Sequence, residues 1–235
     1  MSKSLLRSIG LLSLILGVVV IGYFAYPIVS YEITAARRFP GYLSPVPAGE
    51  KKNVLTETIE TSRVDYTRAS AWFADGKRPS DFEVSGITYY TITIPKLNIY
   101  SAPVSVGGEN LADSIIQYPG TALPGERGNS VLFGHSILPQ FYNPKDPISI
   151  FSLLPELDVG DRYEVNFDGI TYRYEVAEMF EVKPTDVHIL EQTDTEPFMS
   201  LVTCTPPGHP LRPKRLIVRS KLIPHDGQNL TANFQ

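Results

Sequence analysis

The chain has one cysteine in 235 residues. A single thiol builds no disulfide framework. That cysteine and the four histidines show no metal-ligand spacing, so no metal and no cofactor is expected. The chain has no basic run, and its net charge is only −4, which sets nucleic acid aside as a partner. Internal repeats are absent. No acidic residue precedes Glu32. Within that acid-free stretch, Ile9 to Val29 is an almost unbroken apolar run of roughly 21 residues, enough to cross a ~30 Å hydrocarbon core as a helix. Lys3 and Arg7 come before it, which favours a cytoplasmic N-terminus. Tyr23, Tyr26 and Tyr31 stand where an interfacial aromatic belt would stand. A cleaved signal would have a shorter apolar core and a small-x-small cleavage site, whereas this run ends in Tyr26-Pro27-Ile28-Val29. The expectation is a single-pass, uncleaved anchor in the cell membrane, with the rest of the chain outside.

Twenty prolines, seventeen glycines and thirteen tyrosines lean toward an all-β chain rich in turns. Four regions are expected: a cytoplasmic tip and anchor (1–31), an extracellular stem (32–86), a β domain (87–224) and a polar tail (225–235). In the stem, Phe39-Pro40-Gly41 and Ser44-Pro45-Val46-Pro47 break regular structure. Val54 to Trp72 has spacings that permit a helix, and Trp72-Phe73 can pack onto the main domain. Ala74 to Pro79 reads as a loop. Strands are expected at Thr88–Ile94, Ile99–Val104, Ser130–Gly134, Phe198–Thr203 and Leu216–Ile223. Asp168-Gly169 marks a hairpin between Asp161–Phe167 and Ile170–Val182. Short helical pieces are expected at Asn110–Ile116, Ile148–Leu157 and Thr185–Leu190. The sum is a barrel or sandwich of about seven or eight short strands.

Three strands end in chemistry. Val131-Leu132-Phe133-Gly134 leads into His135, Ser200-Leu201-Val202-Thr203 leads into Cys204, and Arg215 opens the last strand. A thiol attacks as thiolate, which a nearby imidazolium stabilises. An arginine cannot serve as base; it holds carbonyls and stabilises an oxyanion. Together the three describe acyl transfer through a thioester without a metal. Singly, each has a structural reading: a buried small hydrophobe, a histidine held at a strand end, and a solvent-facing arginine.

The run Leu201-Val202-Thr203-Cys204-Thr205-Pro206-Pro207-Gly208, followed by Lys214-Arg215-Leu216-Ile217-Val218-Arg219, resembles the signature of sortases. Tyr118 to Gly125 and Gly128 to His135 are similar to that family's histidine region, and Ile94-Pro95-Lys96-Leu97-Asn98-Ile99 to its first strand. The resemblance spans about Ile87 to Ile223. It implies an eight-stranded β-barrel and a cysteine transpeptidase that cleaves a Leu-Pro-x-Thr-Gly-like sorting signal between Thr and Gly. It implies Cys204 as nucleophile, His135 as general acid for the leaving amine and Arg215 as substrate and oxyanion partner. Leu201 and Ser136 would contact substrate, and Thr203 would contact it or help form the oxyanion site. The implied partners are secreted proteins with a C-terminal sorting signal and an amine acceptor, either a peptidoglycan precursor or a pilin lysine. Some positions depart from the pattern. Ser200 stands where Thr is usual, and Ser136 where many relatives carry Arg or Thr. Arg212 and Arg219 compete with Arg215, which is preferred because it opens the strand. No Asp-Pro-aromatic lid motif of the pilus-building members precedes the barrel; Ser80-Asp81-Phe82 is a poor substitute and Trp72-Phe73 a candidate plug.

Other readings fit less well. A papain-like protease places Cys before His, and a caspase-like one needs an α/β sheet. A murein transpeptidase with a cysteine nucleophile would have Gly or Ser-x-Gly just before the Cys, where Val202-Thr203 stands. The non-catalytic alternative is an extracellular, membrane-tethered β-sandwich binding module with an inert Cys204.

Overall fold

The computed structural model describes residues 3–39, 67–69, 72, 89–192 and 196–224. Most of the stem, the loop at Ala74–Pro79, Ser80-Asp81-Phe82 and the polar tail lie outside these residues. Eight strands follow one long N-terminal helix, α1 (Lys3–Arg38). They are β1 (Tyr89–Ile94), β2 (Ile99–Val106), β3 (Ile115–Gln117), β4 (Gly128–Phe133), β5 (Arg162–Phe167), β6 (Ile170–Val182), β7 (Pro197–Thr205) and β8 (Lys214–Leu222). They close into a barrel in the order β1-β2-β3-β4-β7-β8-β6-β5. β2–β3 and β4–β7 pair parallel, the other neighbours antiparallel. Closure removes the exposed edges that an open sheet would carry.

Period-two alternation sorts the side chains into two apolar clusters. Leu132, Leu201, Leu216 and Val218 join Ile92, Val104, Val165 and Tyr174 in the larger cluster, which fills the barrel. Their neighbours Val131, Phe133, Val202, Cys204 and Ile217 belong to the second cluster, on the outer face of β4, β7 and β8. Cys204 is therefore on the outside of the barrel wall, yet only 2% exposed.

Two expected helices do not form. Asn110–Ile116 is a turn running into β3. The Asn110 side chain accepts from the Ala112 N–H (3.1 Å), and Ile115 and Ile116 are buried as strand residues paired with β2 and β4. Tertiary burial outweighs the helical spacing there. Ile148–Leu157 is a series of turns with one short 3₁₀ turn at Leu154–Glu156. Asp146 accepts from the Ile148 N–H, Ser149 Oγ donates to the Asn143 carbonyl and Ser152 Oγ accepts from the Ile137 N–H. Side chains that bond backbone locally compete with the helical ladder in this way, and Pro155 lacks the donor to continue it. The short helical piece expected at Thr185–Leu190 is a 3₁₀ turn over Val187–Leu190.

α1 does not stop at the expected end of the anchor, residue 31. Every described side chain from Arg7 to Tyr26 is exposed; from Pro27 onward the helix leans on the barrel. Ala35 and the following Phe39 are buried in the larger cluster. Tyr31 Oη donates to Glu181 Oε1 (2.9 Å), Lys214 Nζ meets Glu32 (3.0 Å), and Arg38 Nη2 donates to the Leu157 carbonyl (2.7 Å). A fragment starting at Pro27 keeps all of these contacts. A fragment starting at Pro40 should be less stable by about 2–4 kcal/mol, the order of losing one buried aromatic side chain. Denaturant unfolding of the two fragments checks this, and equal midpoints would refute it.

Candidate active site

Parallel pairing brings two strand ends together. The β4–β7 register runs to Phe133 opposite Val202. Beyond it, Gly134 N–H donates to the Val202 carbonyl (3.1 Å) and Thr203 Oγ1 to the Gly134 carbonyl (2.9 Å). Ser136 Oγ donates to the Cys204 carbonyl (2.7 Å). Residues 134–136 are thus laced to 202–204, with His135 beside Cys204. Gly134 is required by space, because a Cβ there would come within 2.4 Å of the Phe151 ring. Phe151 N–H in turn donates to the His135 carbonyl (2.9 Å).

Antiparallel pairing supplies the third group. Cys204 lies opposite Arg215 across β7 and β8. The Arg215 guanidinium is fully buried. Its Nη1 donates to the carbonyls of Arg212 (2.9 Å) and Lys214 (3.1 Å), and its Nη2 to the carbonyl of Trp72 (3.1 Å).

Trp72 reaches this end of the barrel from the stem. Its ring stacks on Phe133 at 5.4 Å, lies 5.8 Å from the His135 ring, and has Arg215 Cζ 5.4 Å from its centroid. The last contact is a cation–π pair in a dry setting. Upstream residues pin the segment down. Ala69 N–H donates to the Glu109 carbonyl (2.9 Å), Leu111 N–H to the Thr67 carbonyl (2.7 Å), and Arg68 pairs with Glu109 (3.0 Å). A stem residue therefore covers His135 and Arg215, and Cys204 is buried in the same cluster. That burial pushes the Cys204 thiol up, against the opposing fields of Arg215 and then Arg212.

The other expected site residues divide. Ser136 is at the site. Leu201 points into the barrel with the larger cluster, and Thr203 spends its hydroxyl on the Gly134 carbonyl, aligning the two strand ends. Arg219 sits farther along β8, stacked 5.3 Å from the Phe180 ring and paired with Glu178 (3.1 Å). Arg212 lies in the β7–β8 loop with φ +44° and presents its carbonyl to Arg215. Two groups were not singled out from sequence. Thr205 and Tyr31 both donate to Glu181 Oε1 (2.9 Å each), so the residue after Cys204 shares a carboxylate with α1. Nothing in the sequence around Glu181 signals this, because its partners are distant along the chain.

The family model described as Sortase domain matches residues 92–223. No curated protein matches the chain. Among solved structures, a sortase D5 transpeptidase of Clostridium perfringens is 28% identical at TM-score 0.50, over 62% of this chain and 84% of its own. Sortase C-1 of Actinomyces oris is 29% identical at TM-score 0.51, over 60% and 77%. Sortase C1 of Streptococcus agalactiae is 32% identical at TM-score 0.51, over 61% and 72%.

If Trp72 is what buries the thiol, Trp72→Ala should rehydrate it while Arg215 stays beside it. Alkylation of Cys204 should then become several-fold faster, and its rise with pH should begin at lower pH than in the parent, since the thiolate is the reacting form. Alkylation rates measured across pH decide this; superimposable profiles would show that Trp72 does not cover the thiol.

Proposed function

The chain belongs to the sortase family, and from that premise we propose a membrane-anchored cysteine transpeptidase that acts on Leu-Pro-x-Thr-Gly-like sorting signals of secreted proteins. The observation that carries this reading is the meeting of Cys204, His135 and Arg215 at one end of β4, β7 and β8.

In this reading the Cys204 thiolate attacks the carbonyl carbon of the signal's Thr. Arg215 faces the oxyanion, where a fixed cation acts without losing its proton. The intermediate collapses, the Thr–Gly C–N bond breaks, and a thioester remains on Cys204. His135 gives a proton to the departing glycine amine. An acceptor amine, on a peptidoglycan precursor or a pilin lysine, then attacks the thioester. A new amide forms, the C–S bond breaks, and the thiol takes back a proton. α1 anchors the enzyme with its N-terminus in the cytoplasm and the barrel outside.

In this reading the Trp72 carbonyl on Arg215 Nη2 (3.1 Å) takes the place that a substrate carbonyl would use. The described state is therefore closed, and Trp72 has to leave before a peptide reaches Cys204. An inert binding module has no use for a buried guanidinium opposite a lone thiol, because an unneeded buried charge costs stability.

Cys204→Ala should abolish turnover of a sorting-signal peptide while the barrel stays folded. Arg215→Ala should lower kcat by about 10²–10³, the usual cost of removing one oxyanion donor. Arg219→Ala, away from the thiol, should change it little. Peptide-cleavage kinetics on the three variants provide the test. Normal turnover by Cys204→Ala, or a larger loss from Arg219→Ala than from Arg215→Ala, would overturn the assignment.

A further inference from the structure

The exposed apolar part of α1 ends where the barrel begins. Ile9 to Tyr26 is exposed throughout, and these eighteen residues span about 27 Å as a helix, close to one hydrocarbon thickness. Tyr23 and Tyr26, 57% and 73% exposed, mark the outer end of that stretch. Between them, Phe24 touches the catalytic domain: its ring centroid lies 6.2 Å from that of Phe141. Phe141 belongs to the loop after β4 and is 52% exposed despite its size. A side chain packed on Phe24 sits at the depth of Phe24, within the turn that carries the two tyrosines.

Phe141 also borders the site. A hollow of about 350 Å³ is lined by Phe141, Leu138, Ser136, Gly208, His209 and Arg212. Ser136 is the residue bonded to the Cys204 carbonyl. The β7–β8 loop on the other side of this hollow carries Leu211, 76% exposed. Phe141 on the rim is level with an aromatic belt, and Leu211 is a second large exposed apolar side chain, between Pro210 and Arg212 that line the same hollow. Such side chains match the way interfacial elements enter the headgroup and acyl boundary by about 5–10 Å. The attachment of α1 to the domain is not a loose tether. Tyr31, Glu32 and Arg38 bond to it and Ala35 is buried in it, so the depth of Phe24 fixes the depth of the rim.

We propose that the loops carrying Phe141 and Leu211 rest in the outer-leaflet interface of the membrane that α1 crosses, so that the hollow beside Cys204 opens at the lipid surface. This rests on reading α1 as an anchor. A substrate still held in the bilayer by an apolar tail would then present its scissile bond at the height of the thiol.

The lone cysteine makes the test direct. In a Cys204→Ala background, single cysteines at Phe141, Leu211, Val18 and Ile170 are labelled with a fluorophore, and the full chain is placed in phosphatidylcholine–phosphatidylglycerol vesicles. Lipid nitroxides are placed either high on the acyl chain or near its end. Ile170 opens β6 at the end opposite Val182, which pairs with Arg215, so it lies about 40 Å from the site along the strand. The probe at 18 should lose fluorescence mainly to the deep nitroxide, those at 141 and 211 mainly to the shallow one, and that at 170 to neither. Quenching at 18 with 141 and 211 behaving like 170 would overturn the proposal and leave the anchor standing. No quenching at 18 would remove the anchor reading itself, and the proposal with it. Phe141 and Leu211 are independent positions, so either one reports if the other variant fails to fold.

Discussion

A guanidinium cannot shed its proton, so the surroundings of a buried arginine have to accept it as a cation. Arg215 imposes that demand on the end of the barrel where it lies opposite Cys204. Three main-chain carbonyls and an indole face answer it. One of the carbonyls, that of Arg212, comes from the β7–β8 loop, where Arg212 has positive φ, and one from Lys214 at the start of β8. The third comes from the stem, which ties a segment far upstream to the strand opposite Cys204. The same charge opposes the rise of the thiol pKa that burial causes. One side chain thus bonds the loop, seats Trp72 and opposes the effect of burial on the Cys204 thiol.

The thiol and the histidine depend on a second constraint, the parallel pairing of β4 with β7. Parallel partners run in the same direction, so the residues just past Phe133 and Val202 lie at the same end of the barrel. Thr203 and Ser136 lock that alignment with hydrogen bonds to the opposite chain. Their value here is geometric: they hold backbone, and through it the imidazole and the sulfur.

Much of this was legible in the sequence because it is periodic or local. Alternation marked the strands, Asp168-Gly169 marked the hairpin, and the apolar run marked α1. Cys204, His135 and Arg215 were visible because each stands at the end of an apolar strand. What stayed hidden depends on partners far along the chain. Ile115 and Ile116 have helical spacing and become a strand only because β2 and β4 flank them. Leu201 and Thr203 sit close to Cys204 in sequence, yet the pleat turns them to the barrel interior. Glu181 joins Tyr31 and Thr205 across 150 and 24 residues, a link no local pattern announces. Trp72 was visible as a candidate plug, but its seat between His135 and Arg215 is a matter of tertiary packing.

The unbroken course of α1 onto the barrel carries a kinetic consequence. A domain on a flexible stalk samples a hemisphere of orientations, and each encounter must find the right one. Here the helix runs through Pro27 to Arg38 without a joint and is bonded at Tyr31, Glu32 and Arg38. Anchored as proposed, the domain keeps two main freedoms, lateral drift and rotation about the membrane normal. A search in volume then becomes a search in a plane, and much of the orientational entropy of meeting a membrane-held substrate is removed before the two collide.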